Sequence, residues 1–316
     1  CYRLYTEHGF ESLASQTLPE MKRCNLDHII LQMKAFNIQN VFDFDFIDRP
    51  DPESLQKSLN RLYRLGALNK QGRLSVPLGK AMAQFPLSPM FSKTLWHSQK
   101  YGCVEQVLTI ISMLCVEGLF ASSREERAKA NEAKRKFLSY DGDHITLLNV
   151  YNAFLQEDER PSSRRKNWCV DNYINYRAIL KALDIRAQLS DYCVQLKFEM
   201  TSCFPTEQSL ANFNTEPIKR CFIEGFFTHA AIREHSTGSY INMADQRPVY
   251  IHPTSVLFQK KPQCLLYNEL VLTTKSYMRD VLQVERAWLV DYFQSAEYNR
   301  TSSLSRINQN KQNKTK

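Results

Sequence analysis

The side chains most able to do acid–base or metal chemistry are thinly spread along this chain. The seven histidines stand at positions 8, 28, 97, 144, 229, 235 and 252. No two of them are four residues apart, the spacing by which one helix face holds a zinc ion. The carboxylate pairs Glu125–Glu126 and Asp141/Asp143 fall where helices are expected to begin, and the helix dipole favours acids there without catalysis. The pattern favours structural roles for these groups.

Motifs that bind nucleotide phosphates or activate a nucleophile are absent from the sequence. No stretch fits G-x-x-x-x-G-K-[ST], G-x-G-x-x-G or G-x-S-x-G. The nine cysteines are scattered and form no C-x-x-C pair, which predicts reduced structural thiols in the cytosol or nucleus. We therefore expect neither a catalytic residue nor a metal site in these 316 residues.

The chemistry that the side chains do favour is the binding of a polyanion. The formal net charge is +8, an excess that permits nucleic-acid binding. Single-strand binders combine basic side chains with aromatic stacking platforms. The last hundred residues supply both, in the order Arg233, His235, Tyr240, Arg247, Tyr250, His252, Lys260, Lys261, Lys275, Tyr277 and Arg279. The competing interpretation assigns these aromatic residues to the core of a sheet.

The elements that must position these residues begin with helices. Asn25 is expected to cap a helix over 25–36, and Asp51 followed by Pro52 to begin another that ends at Gly66. A hairpin is expected over 67–75. Helices followed by a small hairpin are typical of a winged helix. Its second helix offers Gln56, Lys57, Asn60, Arg61 and Arg64, so a DNA-reading role is an open alternative.

A longer helical region follows and then gives way to strands. From residue 88 to about 200 the apolar spacing predicts a helical bundle, in which Asp143 is expected to cap a helix. Residues 122–126 fit a capping box, and residues 160–166 are expected to form a basic loop. After a polar linker, β-rich runs at 221–228, 239–243, 248–251 and 265–273 suggest a small barrel, closed by a helix that carries Trp288.

The two ends of the chain are less regular. The first seven residues have neither a signal-peptide pattern nor an initiator Met, so the chain is expected to begin inside a structural unit. No apolar run approaches the roughly 18 residues that a membrane helix needs, and no membrane partner is expected. Residues 300–316 hold five basic residues and no acid, which predicts a disordered tail.

Several ordered strings resemble the carboxy-terminal half of DEAH-box ATP-dependent RNA helicases. They include FPLSP at 85–89, GDHITLLNVY at 142–151, NYR at 175–177, IHPTS at 251–255 and ELVLTTKSYMR at 269–279. The string HSTGSY at 235–240 is most similar to the branch called helicase thirty-five. The resemblance covers about residues 1–290.

The resemblance implies a mainly α fold with a C-terminal β-barrel, divided into five parts. These are a remnant of the second RecA-like domain (1–24), a winged helix (25–87), a helical-bundle ratchet domain (88–203), an OB-fold (204–294) and a disordered basic tail (295–316). It also implies a parent RNA helicase of the nucleus, with the cytoplasm as an alternative, that acts in pre-mRNA splicing. The parent's ATP, Mg²⁺, phosphate loop, Asp-Glu-Ala-His motif and arginine finger would all lie upstream of Cys1. This chain alone would hold no cofactor and be inactive.

In that family the bundle and the barrel close over single-stranded RNA, while G-patch activators dock on the winged helix and barrel. Spliceosome components are implied as further partners. Carried onto this sequence, the RNA-binding residues would be Asn175, Arg177, Lys181, Arg186, Ser236, Thr237, Gly238, Lys275 and Arg279. The alternative for Arg177 and Arg186 is an internal brace between bundle and winged helix, and for Gly238 a turn glycine.

Two other functions stay open from the sequence. One is a motor-less adaptor that binds RNA and recruits G-patch proteins. The other is a winged-helix regulator that binds duplex DNA. The regulator requires a preference for a duplex sequence, so a salt titration with duplex DNA and with single-stranded RNA would separate it from an RNA-binding accessory region.

Overall fold

The computed structural model describes residues 2–121, 125–157, 162–204, 213–234 and 238–294 of the chain. Its helices are α1 (Glu7–Glu11), α2 (Glu20–Arg23), α3 (Asp27–Ala35), α4 (Pro52–Arg64), α5 (Leu78–Met82), α6 (Pro89–His97), α7 (Val104–Leu114), α8 (Arg127–Arg135), α9 (Asp143–Leu155), α10 (Ser162–Asp171), α11 (Tyr176–Gln195), α12 (Glu216–Phe226) and α13 (Arg286–Gln294). Its strands are β1 (Ala230–Arg233), β2 (Tyr240–Asn242), β3 (Pro248–Ile251), β4 (Cys264–Leu272) and β5 (Ser276–Gln283). The first residues of the expected capping box and the tail from 295 lie outside the described residues. The mainly helical fold with a C-terminal barrel is confirmed.

The first compact unit consists of α3, α4, α5 and a minimal hairpin. The Asp51 carboxylate accepts a hydrogen bond from the Ser54 amide at 3.2 Å, so the predicted cap of α4 is confirmed. The hairpin is a single bridge between Leu68 and Leu74. Asn25 does not occupy the cap position of α3, which falls on Leu26, although its side chain accepts from the Asp27 amide.

The helical bundle forms from α6, α7, α9, α11 and α12, which share one core. The segment 162–166, expected as a loop, is the first part of α10. The prediction that Asp143 caps α9 is wrong. Gly142 is the cap residue, at a φ of 134°. The Asp143 carboxylate instead accepts hydrogen bonds from Ser255, Val256 and Val281 of the barrel, so it is not available to cap its own helix.

The segment 221–228, expected as a strand, forms the end of α12 and part of a 3₁₀ turn at Phe227–His229. Ile218, Cys221 and Phe222 repeat at the helical spacing, and Phe226 continues it. Protein covers α12 on both sides, so residues outside this stripe are apolar as well. The sequence of 221–228 is therefore almost continuously apolar and resembles a buried strand. Gly225 lets α12 approach α6 closely, because a Cβ there would collide with the Met90 carbonyl and the Thr94 side chain.

The five strands close into a barrel in the order β1-β2-β3-β5-β4. Every neighbouring pair is antiparallel except β3 and β5, where Tyr250 lies opposite Tyr277 in parallel register. Strands β2, β3 and β4 and the helix α13 follow their predictions. Alternate residues fill the interior, among them Val249, Ile251 and Met278.

The barrel is joined to the bundle along one line of contacts, the bundle–barrel junction, where residues 141–144 meet 255–256 and 281–283. The Gln283 amide donates to the Asp141 carbonyl at 2.8 Å, and Gly142 forms a β-bridge with Leu282. Within the described ranges, no helix has the length and apolar content needed to cross a membrane.

Candidate nucleic-acid interface

The barrel has the strand order of the small closed barrels that bind oligonucleotides and oligosaccharides. In such barrels the ligand lies on strands 2 and 3, between the loop from β1 to β2 and the loop from β4 to β5. Here the first of these loops contains Gly238 and the second contains Lys275. The fold therefore brings two sequence-predicted positions, far apart in the chain, to the two sides of one surface.

Next to the loop that contains Lys275 lies an aromatic–basic face, formed by outward-pointing residues of the paired strands β3 and β5 and their ends: Tyr250, His252, Lys275, Tyr277 and Arg279. The Lys275 ammonium lies 4.4 Å from the centre of the Tyr250 ring. The Tyr277 ring is 6.2 Å from that of Tyr250 and 5.8 Å from that of His252. Half-exposed rings next to exposed cations are the components of a single-strand binding surface.

The aromatic–basic face continues into a long groove between bundle and barrel, with a volume of about 1810 Å³. Small-molecule sites usually have about 300–1,000 Å³, so this groove is large enough for a polymer. The bundle contributes residues from the end of α7, the following loop, α8 and the start of α9. The barrel contributes residues 252–260 and parts of β4 and β5, including His252 and Arg279.

The charges in the groove are nearly balanced. Arg279 lies 3.4 Å from Glu269, with both side chains about half exposed, so this pair is weak. The Asp143 carboxylate accepts hydrogen bonds from Ser255 Oγ at 2.7 Å, the Val256 amide at 3.0 Å and the Val281 amide at 2.9 Å. Arg135 and Lys260 are exposed cations of the groove. Such a lining favours modest, salt-dependent affinity for a polyanion.

Burial shifts the pKa values of several groups at the bundle–barrel junction. It raises the pKa of Asp280 to about 6, and the neighbouring carboxylates of Asp143 and Glu269 add to the rise. Burial lowers the pKa of Lys134, which the same Asp143 partly opposes. It also lowers the pKa of His144 to about 3, so this histidine is neutral and packs edge-on against Phe222.

The four bundle residues predicted to bind RNA have different environments. Arg177 and Lys181 are exposed, one turn apart on α11. The Asn175 side-chain oxygen caps that helix, accepting from the amides of Arg177 and Ala178 at 3.1 and 3.3 Å. Arg186 is turned inward, where it donates to Thr109 Oγ1 at 2.9 Å and pairs with Glu105.

The Arg186 contacts favour the brace interpretation, but in a different place from the one expected. Thr109 and Glu105 both belong to α7, so the brace joins two helices of the bundle and not the bundle to the winged helix. Arg177 has no such contact to a residue that the structure describes.

The barrel predictions are only partly visible. Ser236 and Thr237 lie outside the described residues. Gly238 has a φ of +69° and no heavy atom within 4 Å of the place a Cβ would occupy. Its geometry is that of a turn glycine. Lys275 and Arg279 lie on the aromatic–basic face, and Arg279 also lines the groove.

The winged-helix surface that could read DNA is partly used internally. Arg61 binds the Asp27 carboxylate through two nitrogen atoms, at 2.8–3.0 Å, and reaches Asn25 and Ser58 as well. Lys57 pairs with Glu53 on its own helix. These contacts remove the most central arginine of α4 from a base-reading role.

Metal ligation finds no support in the described part of the chain. Its histidines, cysteines and carboxylates include no group of three close enough to hold an ion. Burial raises the pKa of several thiols, that of Cys169 to about 11 and that of Cys193 to about 12, which keeps them protonated.

The sequence singled out neither Tyr140 nor Lys134, which both line the groove. Tyr140, in the loop before α9, is 59% exposed, and Lys260 lies 3.7 Å from its ring centre. Deeper in the groove, Lys134 lies 4.5 Å from the Phe120 ring. An aromatic residue in a short polar turn is a weak sequence signal. Only the fold shows that Tyr140 faces a cation from the barrel.

Comparison with known protein families gives three matches in chain order. Residues 58–87 match the helicase associated domain (HA2), winged-helix, and residues 88–147 match the helicase associated domain (HA2), ratchet-like. Residues 218–296 match the oligonucleotide/oligosaccharide-binding (OB)-fold.

Curated proteins match nearly the whole chain. The "Probable ATP-dependent RNA helicase DHX35" of Pongo abelii is 40% identical over 292 residues, which are 92% of this chain and 39% of that protein. The "ATP-dependent RNA helicase DHX33" of Mus musculus is 38% identical, over 93% of this chain and 41% of that protein. The "Pre-mRNA-splicing factor ATP-dependent RNA helicase DEAH10" of Arabidopsis thaliana is 39% identical, over 94% and 42%. The chain thus spans about two fifths of the length of these relatives.

Proposed function

Because this chain belongs to the DEAH-box RNA helicases, whose helicase-associated and OB-fold domains it carries, we propose that it grips single-stranded RNA as the accessory region of an ATP-dependent helicase. The observation that carries the proposal is the continuity of the aromatic–basic face with the groove. Rings for stacking and exposed cations for phosphates lie along one path over the barrel and into the groove. The finer parts of the proposal are G-patch docking, a role in pre-mRNA splicing and a nuclear location.

The direct test is binding of the purified chain to a fluorescent 12-nucleotide single-stranded RNA at several salt concentrations. We expect weak binding whose logarithm falls linearly with the logarithm of salt concentration. Lys275→Met should lower the affinity and reduce the slope by about 0.7, since each phosphate contact in single strands contributes about that amount.

The matched control is Lys57→Met, which removes another exposed lysine, in the winged helix and away from the groove. It should leave both affinity and slope unchanged. Equal losses in the two variants would mean that net charge alone attracts RNA, and the proposed grip on the barrel would be wrong.

The two alternative functions predict other outcomes. A DNA-binding regulator would prefer a particular duplex sequence over single-stranded RNA in the same titration. A motor-less adaptor would bind G-patch protein, and its transcript would carry a stop codon or regulatory sequence before the codon for Cys1. Our proposal predicts that this chain alone hydrolyses no ATP when RNA is added, and that its activity depends on a motor domain.

A further inference from the structure

Tyr140 and Lys260 meet across the opening of the groove, one from each wall. Tyr140 belongs to the bundle, and Lys260 belongs to the barrel segment between β3 and β4. The Lys260 ammonium lies 3.7 Å from the centre of the Tyr140 ring, the shortest such contact among the described residues. Both side chains are exposed and both line the groove.

This contact differs from the similar pair deeper in the groove. Lys134 lies over Phe120, but it is half-buried and interacts with the carboxylates of Asp143 and Asp280. Lys260 is exposed and forms no ion pair with a described residue. Its ammonium can therefore leave the Tyr140 ring at little electrostatic cost, whereas Lys134 is held in place.

A ring face that a mobile cation covers is chemically suited to a nucleobase. A base offers the same flat contact to the ring, and the nucleotide's phosphate offers the displaced ammonium an anion. Phe258, 40% exposed and also part of the groove lining, adds a second apolar surface next to the segment that carries Lys260.

We propose that Tyr140 and Lys260 form a nucleotide-binding subsite at the opening of the groove, in which a base of single-stranded RNA stacks on Tyr140 while Lys260 contacts the adjacent phosphate. The proposal rests on the proposed RNA-binding function and extends it to the bundle side of the groove. Tyr140 supplies stacking, which does not depend on salt, and Lys260 supplies the salt-dependent contact.

The experiment combines affinity with a stacking signal. Single-stranded 12-nucleotide RNAs, each with 2-aminopurine at one position, are titrated with the full chain, because stacking of this base quenches its fluorescence. Four variants are compared with the unchanged chain: Tyr140→Leu, Tyr140→Phe, Lys260→Met and the control Phe36→Leu. Phe36 is 78% exposed and does not line the groove.

We expect Tyr140→Leu to lower RNA affinity about 5- to 150-fold, the usual effect of losing one stacked base, with an unchanged salt slope. At one position of the RNA the quenching should disappear. Tyr140→Phe should retain both affinity and quenching. Lys260→Met should reduce the salt slope by about 0.7. Phe36→Leu should behave as the unchanged chain.

Three results would overturn the inference, and the melting temperature of each variant is measured to recognise the second of them. If the unchanged chain binds RNA but Tyr140→Leu binds equally well with full quenching, the subsite does not exist although the proposed function stands. If Tyr140→Leu and Lys260→Met lower only the melting temperature, the contact is a structural clip between bundle and barrel. If the unchanged chain binds no RNA, the proposed function and this inference are both wrong.

Discussion

Asp280 combines an unusual backbone with an unusual ionisation at the bundle–barrel junction. Its φ is +49°, a left-handed conformation that aspartate and asparagine tolerate better than most residues. Burial and the nearby carboxylates of Asp143 and Glu269 raise its pKa to about 6. Near neutral pH this carboxylate is mostly ionised, and its charge lowers the stability of the fold because the pKa of the same group is lower in the unfolded chain.

We predict that Asp280→Asn stabilises the chain above pH 6. Because the pKa of Asp280 is higher in the folded chain, this group contributes stability that is fully present below the unfolded-state pKa near 3.9. That stability is lost as the pH rises through 6. Asparagine tolerates the same left-handed backbone and is uncharged at every pH, so it avoids the cost of a buried charge. The gain in unfolding free energy should be on the order of 2 kcal/mol at pH 7.5 and close to zero at pH 3.5.

Urea unfolding at several pH values measures this difference. Asp191→Asn, at an exposed position of α11, is the control and should change stability by less than about 0.5 kcal/mol at every pH. A constant difference between Asp280→Asn and the unchanged chain from pH 3.5 to 7.5 would show that the Asp280 carboxylate does not titrate as its surroundings indicate.

At the residue scale, the sequence predicted which side chains occur at the site but not their partners. Lys275 and Arg279 do lie together on the barrel. Arg186 looked equivalent to Arg177, because both are arginines of one helix. Their angular positions on that helix differ, however, and only Arg186 forms an ion pair with Glu105. Contacts of this kind depend on α7, which is far away in sequence. Tyr140 was missed for the same reason.

Among the elements, α12 approaches α6 very closely at Gly225. We predict that Gly225→Ala lowers the unfolding free energy by about 3 kcal/mol, because the new methyl group would overlap the Met90 carbonyl and Thr94 and force the helices apart. Thermal unfolding followed by circular dichroism provides the measurement.

Gly238→Ala is the matched comparison for this glycine substitution. Gly238 has positive φ and open space around it, so alanine there should cost only about 1 kcal/mol from backbone strain. If the two variants unfold at the same temperature, the close approach of α12 and α6 does not limit stability.

Elements with local signals were predictable, and elements defined by their surroundings were not. Asp51 and Pro52 fixed the start of α4 through a cap that needs only neighbouring residues. The end of α12 was predicted as a strand because its residues are apolar on every side. That pattern comes from being buried between α6 and the barrel, which no local rule reveals.

At the scale of the whole molecule, the Asp143 carboxylate connects the bundle to the barrel through the hydrogen bonds that it accepts. We predict that Asp143→Ala lowers the unfolding free energy by about 3–4 kcal/mol, since Ser255 and the amides of Val256 and Val281 lose a charged acceptor. In urea, tryptophan fluorescence and circular dichroism should then report separate transitions where the unchanged chain shows one.

The control for this variant is Asp245→Ala, which removes an exposed acid from the loop between β2 and β3. It should keep a single transition at nearly the original urea concentration. Loss of stability in Asp143→Ala with the two probes still coinciding would mean that bundle and barrel unfold together without this carboxylate.

The order of the domains was predictable from short strings, whereas the groove was not. Strings such as GDHITLLNVY and ELVLTTKSYMR identify their domains independently of one another. The groove lining is drawn from residues 113 to 280, and its shape depends on how the bundle meets the barrel. That arrangement follows from Gly142 and Asp143, whose roles appear only once Val281 and Leu282 are beside them.

The position of α12 has an evolutionary consequence. The family match for the barrel begins at residue 218, so α12 would travel with the barrel in any exchange of gene segments between helicases. Its buried side, however, fits α6, which belongs to the preceding domain. A barrel acquired from another gene would bring a version of α12 whose buried side fits the α6 of a different protein. Recombination should therefore preserve the ratchet and the barrel as one inherited block, and their sequences should diverge together.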